Sequence, residues 1–114
     1  MLDKRGCRLG LVTGTSRHEM EKILPRSLRA LFEVSVTGDE VTQGKPYPEP
    51  FLKALAMLKL PAKCAVVIEN APFGIESAKR AGLFCIALET SLPKSYLRQA
   101  DCVIRSFEEL HKLF

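Results

Sequence analysis

A chain of 114 residues is one domain by length and is large enough to bury a core. Apolar residues make up 46% and charged residues 26%, an ordinary balance for a globular protein, and no apolar run reaches the roughly 18 residues of a membrane span. The net charge of +4 comes without a dense basic cluster interleaved with aromatics, so it argues against nucleic acid and weakly favours acidic or phosphorylated ligands.

The N-terminus, Met1-Leu2-Asp3-Lys4-Arg5, lacks the apolar core of a signal peptide and reads as the tail of a helix stopped at Gly6. Cys7, Cys64, Cys85 and Cys102 have no C-x-x-C spacing and read as reduced core residues of a cytoplasmic protein. Residues 8–12 are strand-like, and Thr13-Gly14-Thr15 is a turn. Ser16 with Glu19 three residues on forms a capping box, opening a helix over 18–24 whose Met20, Ile23 and Leu24 face the core. Pro25 breaks it, a further short helix spans 27–32, and 34–36 is a short strand.

A polar loop over 38–44 leads to Lys45-Pro46-Tyr47-Pro48. The prolines at 46, 48 and 50 delay the next helix, whose apolar face is Phe51, Leu55 and Leu58. Cys64 to Ile68 is a short apolar run rich in β-branched residues, read as a buried strand. Asn70 or Ala71 stands at the N-cap of the next helix and Pro72 in its first turn. Ile75, Ala78 and Ala81 face inward, Glu76 can pair with Lys79 and Arg80, and Gly82 is the C-terminal stop. Residues 84–88 form another buried strand, 93–100 a helix and 102–104 a last strand, and Ser106 with Glu109 caps a closing helix. Strands alternating with helices in this way predict an α/β fold with a Rossmann-like parallel sheet and flanking helices.

In open parallel sheets, ligands bind beyond the carboxyl ends of the strands. Three such ends carry suggestive residues. Thr13-Gly14-Thr15-Ser16 offers hydroxyls and backbone N–H groups at a helix N-terminus, which suits a phosphate or serves simply as an N-cap. Lys45, biased towards extended backbone by Pro46, is an ammonium able to neutralise phosphate charge. Glu69 and Asn70 are adjacent oxygen donors of the kind that ligate Mg²⁺, or else helix caps. Together they make phosphoryl-transfer chemistry plausible on one rim.

The stretches LGLVTGTS, GKPYPEPF and AVVIENAPFGIESAKRAG, in this order and spacing, resemble motifs II, III and IV of the haloacid dehalogenase-like hydrolases, and most of all their phosphoglycolate phosphatase and β-phosphoglucomutase-like members. The resemblance runs from about Arg8 to Phe114. It implies that Thr13 is the motif II hydroxyl on the phosphoryl group, with Gly14 and Thr15 beside it, that Lys45 is the motif III lysine, and that Glu69 and Asn70 are the motif IV pair holding Mg²⁺. Asn70 stands where the family usually has Asp; its amide oxygen still ligates but brings no charge.

The family's motif I, DxDxT/V, which carries the aspartate nucleophile and an acid/base aspartate, is not found; Asp3, Asp39 and Asp101 lack its context. The helical cap domain between motifs I and II is not found either. The expectation is that 1–114 is a partial core domain, the C-terminal part of a Mg²⁺-dependent phosphatase or phosphotransferase acting on small phosphate esters through an aspartyl-phosphate. By itself the chain should be inactive. The competing reading is a non-catalytic phosphate-binding or scaffold protein of the same fold. In the family fold the motif I strand lies between the strands ending at Thr13 and Glu69, so an interior gap is expected, to be filled by an N-terminal segment or another copy.

Overall fold

The computed structural model describes residues 7–89, 94–106 and 108–109. The expected helix tail at 1–5, its stop at Gly6, Asp3, Pro93 and most of the closing helix lie outside the described residues; within them, Glu108 and Glu109 are helical. The order is β1 (Gly10–Val12), α1 (Arg17–Ile23), α2 (Arg26–Arg29), β2 (Val34–Val36), α3 (Glu49–Leu58), β3 (Val66–Glu69), α4 (Pro72–Arg80), β4 (Phe84–Leu88) and β5 (Cys102–Ile104). This is a parallel-sheet α/β fold with flanking helices.

All strand pairing is parallel. β1 pairs with β2, Leu11 opposite Ser35. β3 pairs with β4, Ile68 opposite Ile86, and β4 with β5, Ala87 opposite Val103. Among the described residues no ladder joins β1 to β3, so the sheet falls into a two-stranded and a three-stranded part. The parts are held together on one face by α3, which packs on β1, β2 and α4, while α4 packs on β3 and β4. Phe51 and Leu55 of α3 meet Ile75 and Ala78 of α4 over Val67, Cys85 and Ala87. Ile86, Leu88 and Ile104 form a second cluster with Ile68. Alternate residues of β4 thus feed two clusters, and its near-continuous apolar run follows from that.

Several local expectations shift. The strand expected over 64–68 starts at Val66, after a 3₁₀ turn over Ala62–Cys64. Only Val67 of it is buried, because β3 is paired on one side alone among the described residues. Met20 is buried, but Ile23 is exposed: α1 is two turns long, and the extended backbone of Leu24 ahead of Pro25 ends it there. Glu76 pairs with Arg80, whereas Lys79 turns to Asp101, whose carboxylate also accepts the Cys85 N–H. The helix expected over 93–100 is a 3₁₀ turn over Lys94–Leu97. Gly82 ends α4 at positive φ, as the sequence requires.

The cysteines are free but are not all core residues. Cys85 is buried, Cys102 half-buried, and Cys7 and Cys64 exposed, since each of these two precedes its strand rather than lying within it. Burial in the core, with Glu69 adding to it, pushes the Cys85 thiol up to about 12, so it stays protonated.

Candidate active site at the carboxyl ends of the strands

The site is assembled around one lysine. The turn Gly44–Tyr47, closed by the Tyr47 N–H donating to the Gly44 carbonyl at 3.0 Å, presents Lys45, and the Lys45–Pro46 peptide is cis. The Lys45 ammonium donates to Glu69 Oε2 at 2.8 Å and to the Val12 carbonyl at 3.3 Å, and lies 5.3 Å from the Phe51 ring centroid. It therefore bridges the last residues of β1 and β3, the two strands that share no ladder. Lys45 and Glu69 side chains are only 19% and 13% exposed, so water screens their attraction weakly.

Glu69 ends β3 because the chain turns at Asn70 into α4. Its Oε1 accepts the Asn70 N–H at 3.0 Å while Oε2 faces Lys45. The carboxylate lies against the first turn of α4 at Gly74, where an added Cβ would come within 2.1 Å of Oε2. Ala71 is the N-cap of α4 and provides no side-chain bond, so Glu69 and Asn70 do not act as its helix cap.

Thr13 follows β1 and donates its N–H to the Val36 carbonyl at 2.9 Å, while its hydroxyl oxygen accepts the Thr15 N–H at 3.1 Å. Gly14 is exposed, and among the described residues its N–H has no acceptor. Not every N–H at the start of α1 is free, however. Ser16 Oγ accepts from Glu19 at 3.2 Å, one half of the capping box expected from sequence, while the Glu19 carboxylate pairs with Lys22, and Asp39 Oδ1 accepts from Arg17 at 3.0 Å. What remains open to a ligand in the Thr13–Thr15 turn is the Gly14 N–H and the Thr13 hydroxyl proton, since the Thr13 and Thr15 N–H groups are already bonded.

That turn is buttressed by residues for which sequence reasoning gave no role. The loop expected at 38–44 begins as a 3₁₀ turn over Gly38–Glu40, capped reciprocally by Thr37 and Glu40. The pattern Thr-x-x-Glu was a readable signal for it. The Gly38 N–H donates to the Thr15 carbonyl at 2.8 Å, and a Cβ on Gly38 would fall 2.0 Å from the Gly14 carbonyl oxygen, so only glycine allows this approach. Arg17 forks onto Glu40 at 2.9 and 3.1 Å and reaches the Ser35 carbonyl at 3.2 Å. The Arg17 guanidinium, followed by the Thr37 N–H, pulls the Glu40 carboxyl down to about 2. The Thr37 hydroxyl and the Arg17 N–H likewise lower Asp39.

Two adjacent oxygen donors, the Glu69 carboxylate with lone pairs to spare and the exposed Asn70 amide, fit a hard cation as part of its shell. Among the described residues no cluster of three or more His, Cys, Asp or Glu completes one. The description "Haloacid dehalogenase-like hydrolase" is that of the family model matching residues 1–88. The chain belongs to the haloacid dehalogenase-like hydrolases. Within them it sits with the phosphoglycolate phosphatase and β-phosphoglucomutase-like members. It is 38% identical over 103 residues to the validoxylamine A 7'-phosphate phosphatase of Streptomyces hygroscopicus subsp. limoneus, covering 90% of this chain and 48% of the relative. The crystal structure of a HAD phosphatase from Thermococcus onnurineus superposes with a TM-score of 0.88 at 28% identity, over 98% of this chain and 52% of that one. That of CbbY from Rhodobacter sphaeroides in complex with phosphate superposes with a TM-score of 0.79 at 33% identity, over 96% and 51%. The chain thus spans about half the length of the relatives it matches. No helix of the described residues is long and apolar enough to cross a membrane.

Proposed function

We propose that this chain is the motif II–IV part, residues 1–114, of a Mg²⁺-dependent cytoplasmic phosphatase or phosphotransferase acting on small phosphate esters. One observation carries the reading: the half-buried Lys45 ammonium bridges the ends of β1 and β3, beside the open Thr13–Thr15 turn. The relatives named as phosphatases support the same chemistry. In this reading the Thr13 hydroxyl, whose proton is free to donate while its oxygen accepts the Thr15 N–H, and the Gly14 N–H hold the phosphoryl oxygens with Thr15 beside them, and Lys45 neutralises the charge that develops on them. Glu69 and Asn70 would hold Mg²⁺, which supplies Lewis-acid polarisation of the phosphoryl oxygens when bound.

The nucleophile is a carboxylate that 1–114 does not supply. The aspartate oxygen attacks phosphorus, the ester P–O bond breaks, and a second acid protonates the leaving oxygen. Both aspartates would come on a strand from an N-terminal segment or another copy, seated between β1 and β3. The substrate is a small phosphorylated molecule; neither nucleic acid nor membrane is involved. Removing one such charge-stabilising donor commonly costs about 2.7–4 kcal/mol of barrier. In the longer protein proposed here, Lys45→Ala should lower kcat/KM on small phosphate esters at least about a hundredfold. Unchanged kinetics in a correctly folded variant would reject the role of Lys45.

A further inference from the structure

We infer that Ser77 is a positioning residue for Lys45. Ser77 is fully buried in α4, and with Thr37 it is one of two buried polar side chains among the described residues. A buried helical serine can satisfy its hydroxyl on its own helix, at the carbonyl four residues back. Ser77 does not: its hydroxyl donates to the Tyr47 carbonyl at 2.6 Å, thirty residues away in sequence. Tyr47 closes the turn whose second residue is Lys45. The Arg80 guanidinium, one turn on from Ser77, lies 5.6 Å from the Tyr47 ring. On the other side of the turn, the Glu49 carboxylate accepts the N–H groups of Thr42 and Gln43, each at 2.8 Å. The lysine turn is thus gripped from both ends, and one grip comes from α4.

The placement of α4 gives this contact its consequence. The same helix seats the Glu69 carboxylate against Gly74, three residues before Ser77. Through Gly74 and Ser77, α4 fixes both partners of the Lys45–Glu69 pair, so their 2.8 Å separation depends on one rigid element rather than on two loops. Truncating Ser77 removes an oxygen but leaves the helix intact, and the Tyr47 carbonyl loses the donor that holds it. The expected consequence is a looser Lys45 in a folded chain. The inference deepens the phosphatase reading, since it assigns the residue that aims its phosphate-neutralising group.

The test reads Lys45 directly and needs no turnover. The folded 114-residue chain and its Ser77→Ala variant are trace-labelled with acetic anhydride, and each lysine's acetylation rate is followed by mass spectrometry, with Lys22 and Lys63 as internal references. Losing one hydrogen bond should raise Lys45 labelling roughly two- to tenfold and leave the references unchanged. An unchanged Lys45 rate would overturn the inference. So would a parallel rise at all three lysines, which would make Ser77 a general packing residue. Because labelling is independent of catalysis, unchanged kinetics of a Lys45→Ala variant of the longer protein would count against the phosphatase reading and not against Ser77.

Discussion

Replacing Gly74 by alanine sets two effects of opposite sign against each other. Gly74 is the third residue of α4 and has ordinary helical backbone, so alanine should favour the helix by at most about 1 kcal/mol. The new Cβ, however, would lie 2.1 Å from both Oε2 and Cδ of Glu69. Two atoms cannot share that space, and the movable partner is the carboxylate, the far end of a flexible side chain. It must leave Lys45 and the Asn70 N–H. Hydrogen bonds to charged groups contribute about 1.5–3 kcal/mol, and the low exposure of both partners keeps the discount for solvent small. The loss outweighs the gain, so Gly74→Ala should destabilise the chain by about 0.5–2 kcal/mol, lowering Tm by several degrees.

The Lys45→Met background reverses the sign. There Glu69 has no ammonium to lose, and pushing it towards solvent relieves an unpaired charge while the helix gain remains. Gly74→Ala should then be neutral or stabilising by up to about 1 kcal/mol. Urea unfolding of the four proteins, followed by circular dichroism, measures the coupling. If Gly74→Ala stabilises both backgrounds equally, Glu69 does not lie against Gly74 and the site geometry is wrong.

Two further outcomes follow from the same residues. Glu40 has a folded pKa of about 2, below its ordinary 4.5, so its contribution is fully present above about pH 4.5 and is lost as pH falls towards 2. Screening of this part-exposed pair limits the contribution to about 1 kcal/mol, and Glu40→Gln should flatten the acid limb of a urea-midpoint-against-pH curve; identical slopes would contradict it. For Mg²⁺, Glu69 already holds Lys45 and the Asn70 N–H, and Asn70 brings no charge. Calorimetry on the 114-residue chain should therefore show no micromolar binding, and a micromolar site would mean that the ligands are misplaced.

The alternation of strands and helices was legible because it is written locally. The Ser16 cap, the proline start of α3 and the stop at Gly82 each act within a few residues of themselves. The rim residues were legible for a related reason: Thr13 and Glu69 stand at the ends of apolar strand runs and Lys45 follows β2 after its loop, and a parallel sheet brings such ends to one side. What local pattern did not reveal is what holds them. Ser77 reads in sequence as an undistinguished helical serine, and Gly74 as a weak helix former, until Tyr47 and Glu69 are placed against them from 30 and 5 residues away. Arg17 reads as a surface residue until Glu40 arrives from the far side of β2. The exposed Cys64 and Ile23 were misread because hydrophobic type was taken for burial, while the short elements around them end before those side chains reach the core.

The division of the sheet gives these supports their weight. A continuous ladder from β1 to β3 would fix the spacing of Thr13 and Glu69 through backbone hydrogen bonds, whatever their side chains did. Among the described residues there is no such ladder, and the two strand ends are held by what crosses between them: the packing of α3 on α4 below, and Lys45 at the rim. Lys45 donates to one backbone carbonyl of β1 and one carboxylate of β3, so its position is as well defined as the turn that carries it. The strand proposed to enter between β1 and β3 would run parallel to both and end at the same rim as Val12 and Glu69. A carboxylate at that end would emerge beside the Lys45 ammonium and the Thr13–Thr15 turn, where the phosphoryl group is proposed to sit. The lysine that joins the halves across the gap would then also face the proposed nucleophile, and the stability of the rim and the chemistry proposed for it would rest on the same side chain.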